Sequence, residues 1–63
     1  MDSFKQRVHD ERIELESKIN KLTTFVNSEV HQALNAAEKI RLRAQLAVMR
    51  EYHDILIERI KFF

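Results

Sequence analysis

The stretch TTFVNSEVHQALNAAE, Thr23 to Glu38, decides whether this chain is one long rod or two helices folded together. Thr23, Thr24, Asn27 and Ser28 crowd its first half. Their side chains compete for backbone hydrogen bonds and form helix poorly, so a helix entering here is expected to end. Asn35 is then placed as an N-cap, with Glu38 at the capping-box position, and a new helix is expected to begin. The residues between, 29–34, have room for one short helical turn. That turn would fold Val30 and Leu34 back over the end of the structure.

Toward the N-terminus, Val8, Leu15, Ile19, Leu22 and Val26 recur at spacings of three, four or seven, and Phe4 and Phe25 widen the stripe. This period predicts an amphipathic helix over about 4–27, capped by Asp2 or Ser3, with Gln6 at the capping-box spacing from Ser3. Only Arg12 interrupts it. Toward the C-terminus, Leu42, Leu46, Met49, Tyr52, Leu56, Ile60 and Phe63 form the stripe of a second helix over about 36–62. Two helices of similar length with a short link pack most simply as an antiparallel hairpin. The fold class is all-α, with one domain over residues 1–63.

Composition agrees and narrows the function. Glycine, proline and cysteine are all absent from the 63 residues. No proline or glycine breaks a helix, and neither disulfides nor thiolate metal sites are available. A chain this short buries little core and commonly gains the rest by assembling, so a homo-oligomeric helical bundle, coiled-coil in character, is expected. Eleven basic residues stand against ten acidic ones, a formal net charge of +1, which lacks the basic excess of a nucleic-acid binder. The opening MDSFKQRV lacks the apolar core of a signal peptide, and no apolar run reaches spanning length, so a cytoplasmic protein away from membranes is expected.

His9, His31 and His53 have no metal-ligand spacing, and no metal or cofactor is expected. The pairs Arg7–Glu11, Arg12–Glu16 and Glu14–Lys18 read as ordinary helix-surface ion pairs. No serine sits in a nucleophile setting and no glycine-rich loop exists, so catalysis is not expected.

Two features point to binding instead. Val48 and Ile55 lie seven apart beside the second stripe, and Ile13 and Ile57 lie off the stripes. Val48, Met49, Ile55 and Ile57 are therefore the expected interface with another copy. Gln45, Tyr52 and Arg59 fall in line along the second helix. They are either seam-edge residues that fix register or, with Lys21, a ligand site offering an amide, a ring and a planar cationic fork. Those groups suit a phosphate-bearing ring. The alternative anion site is the basic opening of the second helix, Lys39 and Arg43 with Arg50 further on, near the partial positive charge of the helix N-terminus. Its bland reading is a solvated face offset by Glu38, Glu51 and Asp54.

The runs FKQRVHDERIELESKINKLTTFV and LRAQLAVMREYHDILIERI resemble a family of short phage and prophage proteins named for a relative in a crAss-like phage. The elements that carry the resemblance are RV-x-x-E (Arg7, Val8, Glu11), KL-x-x-F (Lys21, Leu22, Phe25) and QL-x-x-M-x-x-Y-x-x-L-x-x-RI (Gln45 to Ile60). His53 and Ile57 depart from the family pattern, where small or polar residues are expected. The resemblance implies a phage origin and a hairpin, not an activity. By analogy of architecture, small oligomeric phage proteins that sequester cyclic-nucleotide immune signals suggest an anti-defence role. The alternatives are a host protein bound through the exposed apolar face and, less favoured by charge, an accessory nucleic-acid binder.

Overall fold

The computed structural model describes residues 3–63, so Asp2, one of the two expected caps, lies outside the described residues. Three helices follow in order: α1 over Phe4–Val26, α2 over Glu29–Gln32 and α3 over Ala36–Lys61. α1 and α3 pack antiparallel into a rod 46 × 17 × 13 Å, with α2 across the tip.

The ends are set by the residues that sequence reading singled out. Ser3 caps α1, its side chain accepting from the Gln6 amide at 3.2 Å, while the Gln6 side chain turns forward to Asp10 instead of reaching back. Thr23, Thr24 and Asn27 donate to carbonyls one turn earlier, and the helix stops. Ser28 joins the two sides of the break: its hydroxyl donates to the Phe25 carbonyl at 2.6 Å and accepts from the His31 amide. Asn35 caps α3 by accepting from the Glu38 amide at 2.8 Å. Each such cap contributes about 1 kcal/mol.

The core sits in the seam between α1 and α3. Val8, Leu15 and Leu56 are buried together, with Ile19, Met49 and Ile60 packed against them. Val26 and Leu46 are buried toward the tip. At the open end Phe63 meets Phe4 edge-on at 5.5 Å and His9 at 6.1 Å, under the Lys5 ammonium.

Three expectations change. On α3 the inward row is Leu42, Leu46, Met49, His53, Leu56 and Ile60; Tyr52 stands outside it, exposed, and His53 holds the seam position. Both residues satisfy a three-four spacing between Met49 and Leu56, and the hydrophobic choice was the wrong one. At the tip, Val30 is exposed at 63 % and does not fold back; Leu34 is half-buried, and the residue that plugs the tip is His31. Its ring is fully buried, edge-on to Phe25 at 5.9 Å, and neither ring nitrogen has a hydrogen-bond partner among the described residues. Third, of the expected surface pairs only Arg12–Glu16 forms, at 2.9 Å, with Arg12 half-buried in the stripe.

Candidate functional site

A helix turns 100° per residue, so positions seven apart stay on one flank while neighbours diverge. Gln45, Tyr52 and Arg59 accordingly line one side of α3, next to the seam, and all three are exposed. The Tyr52 hydroxyl donates to the Glu11 carboxylate across the hairpin. That hydrogen bond raises the phenol's pKa, with desolvation and the carboxylate's charge acting in the same direction and the Arg59 charge opposing them. Gln45 turns its amide toward the Met49 sulfur at 3.9 Å, a weak acceptor.

Arg59 borders an open hollow of about 470 Å³ with Phe4, Arg7, Val8, Asp10, Glu11 and Glu14. Three carboxylates face two guanidinium groups there. Within one chain the hollow suits ribose hydroxyls or a base amine, which donate to carboxylates, better than a phosphate. Arg59 has no ion-pair partner among the described residues. Lys21, two turns beyond Glu14 on α1, lies on the same flank toward the tip and is exposed.

The structure does not gather these groups into one pocket. Seven residues of helix rise about 10.5 Å, so Gln45 and Arg59 stand about 21 Å apart. A single small molecule on one chain reaches at most two of the three.

The opposite flank holds the basic alternative. Arg43 and Arg50 border a second open hollow, about 320 Å³, with Thr23, Val26, Asn27 and Leu46. Arg50 donates to the Thr23 hydroxyl at 3.3 Å. Among the described residues no carboxylate lines this hollow, so it is the more electropositive of the two. Lys39 is not part of it; its ammonium donates to the Gln32 carbonyl and ties α3 to α2. Arg41 pairs with Glu38 on the outer surface.

The four expected interface residues do not share a face. Val48 and Ile55 are exposed at 63 % and 53 % on the outer side of the Tyr52 row. Met49 is half-buried in the core, and Ile57, two residues past Ile55, lies on the Arg50 flank, about 200° around the helix from it.

Glu11 and the two inward histidines were missed from the sequence. The partner of Tyr52 is 41 positions away, beyond any local spacing rule. His53 is half-buried with its Nε2 unpartnered among the described residues. Among those residues no group of three metal-ligating side chains occurs, and no helix is long and apolar enough to cross a membrane.

Comparisons with curated proteins and with solved structures each found no match. The comparison with family models found one, Sequestin, which covers residues 2–62. With nearly the whole chain matched, this protein belongs to the Sequestin family.

Proposed function

We propose that this chain is a non-enzymatic binding protein that works as a homo-oligomer and sequesters a nucleotide signal, most concretely a cyclic di- or trinucleotide used in bacterial immunity. The carrying observation is the whole-chain match to a family whose name, Sequestin, is consistent with a sequestering or binding role. The side chains on offer support the nucleotide form of it. Tyr52 presents a ring to stack on a base, Glu11 accepts from a base amine or sugar hydroxyl, and Arg59, without an ion-pair partner among the described residues, is a planar cation for a phosphate. The phage origin that the resemblance implies, joined to the analogy with small oligomeric phage proteins that sequester immune signals, supports an anti-defence role exercised in the cytoplasm of the bacterial host.

Arg43 and Arg50 give a second reading of where the phosphate goes, favoured by the absence of carboxylates around them among the described residues. Calorimetric titration with a panel of cyclic nucleotides tests both. Tyr52→Ala with Arg59→Ala is expected to abolish binding that Arg43→Ala with Arg50→Ala leaves intact. The reverse pattern moves the site to the other flank. No heat from any nucleotide removes this function and leaves a host protein, docked on Val48 and Ile55, as the binding target.

A further inference from the structure

α3 carries two interlocking patterns. Its inward row steps by threes and fours from Leu42 to Phe63, the repeat of a helix seam. One residue earlier at every step, the same repeat runs again from Arg41 to Phe62. A one-residue offset turns the second row by about 100°, close to the corner of a square four-helix bundle. The first row is covered by α1. The second is largely bare: Val48, Ile55 and Phe62 are exposed at 63 %, 53 % and 77 %, while Tyr52 reaches α1 through its hydrogen bond to Glu11.

We infer that this second row is a seam for an antiparallel copy of the same α3, with a two-fold axis beside Tyr52, and that the pairing brings Gln45 of one chain to Arg59 of the other. The row is self-complementary in that register. Tyr52 meets its own copy at the axis, Val48 meets Ile55 of the partner copy, and Arg41 meets the partner copy's Phe62, a cation over a ring. An isologous contact requires this kind of reciprocity, with each residue facing what faces it in return. A parallel pairing would instead stack Arg41 on Arg41 and Arg59 on Arg59.

Area points to the same occupant. A compact monomer of 7.6 kDa exposes roughly 4,300 Å². This chain exposes 4989 Å². The excess, about 700 Å², is close to the ~800 Å² that each partner contributes to a standard interface. With so few residues buried in the seam to α1, the cover must be present whenever the chain folds, and only another copy always is. One meeting is unfavourable: Glu51 comes beside its own copy near the axis, so Glu51→Gln is expected to tighten the dimer.

The pairing also closes the gap along the flank. Gln45 and Arg59 are about 21 Å apart in one chain, yet adjacent across the two-fold, which makes two equivalent amide–guanidinium corners on either side of the Tyr52 pair. That part rests on the nucleotide-binding reading; the pairing does not.

Because the chain has no cysteine, cross-linking reads the register directly. Val48→Cys and Ile55→Cys are prepared as separate full-length variants, and each is checked for helicity by circular dichroism. Under mild oxidation neither is expected to cross-link alone, and a mixture of the two is expected to give the disulfide heterodimer in high yield. Val48→Cys cross-linking to itself would show a parallel seam and overturn the inference. So would sedimentation of the wild-type chain as a monomer at all concentrations. A cross-linked heterodimer that ignores every nucleotide sustains the pairing and sinks the ligand reading. Nucleotide binding without the heterodimer does the opposite.

Discussion

The two adjacent rows of α3 follow the same three-four repeat, yet one is core and the other is largely bare surface. The inward row has Leu56 at zero exposure, while Ile55, its neighbour in sequence, is half-exposed. The inward row is the more apolar, with only His53 against Arg41, Gln45 and Arg59 in the outer one, but that alone does not set the difference between Leu56 and Ile55. That difference lies in which row α1 covers, and α1 is a single helix that can fill only one seam. What distinguishes the rows chemically is their polar members. The inward row tolerates His53, half-buried; the outer row interleaves its apolar residues with Gln45, Tyr52 and Arg59, groups that can meet a ligand or another chain.

The sharpest way to break this contrast is to truncate each row in turn. Leu56→Ala opens a cavity in the core and is expected to cost about 2–5 kcal/mol in chemical denaturation. Ile55→Ala, measured at the lowest workable concentration, is expected to stay within about 0.5 kcal/mol of wild type. Equal losses would mean that both rows are core in the isolated hairpin.

The tip gives the next largest effect, with the opposite sign. The buried His31 ring leaves both nitrogens unpartnered, and an unsatisfied buried polar group costs about 1–3 kcal/mol. His31→Leu removes that cost and forfeits an edge-on contact worth about 0.5–1.5 kcal/mol. A net gain near 1 kcal/mol raises Tm by about 4–8 °C in thermal melts. A lower Tm would show that the histidine is satisfied by water or by a partner. Asn35→Ala removes the cap of α3 and is expected to lower stability by about 1 kcal/mol, with Asn35→Asp restoring most of it.

Much of the fold was legible because it is written in local chemistry. Ser3 and Asn35 announce helix starts by their own side-chain geometry, and the break after Val26 follows from four neighbouring residues. The two helices therefore came within a residue or so of their expected bounds. What was not legible depends on rotation and distance. Tyr52 and His53 fit the repeat equally well, so the facing helix had to decide between them. Burial of His31 has no periodic signature, since four residues of helix are too few to carry one. The candidate site residues were readable as a line along α3, but a line seven residues apart is a row and not a pocket. Glu11, which engages Tyr52, was invisible for want of any rule linking positions so far apart.

The smallest expected effect probes that Tyr52–Glu11 link. Tyr52 is the sole tyrosine and tryptophan is absent, so absorbance near phenolate wavelengths reports it alone. Its folded-state pKa is expected above the ordinary 10.0. The link's stabilisation is therefore complete below pH 10 and is lost as pH rises through the folded-state value. Glu11→Gln is expected to bring the midpoint back down. An unchanged midpoint would place the hydroxyl in water.

The most direct test of the whole account is native mass spectrometry of the purified chain, with and without a panel of cyclic di- and trinucleotides. An even-numbered oligomer that retains one of them at fixed stoichiometry is expected. A monomer that passes through the whole panel unliganded would contradict that expectation.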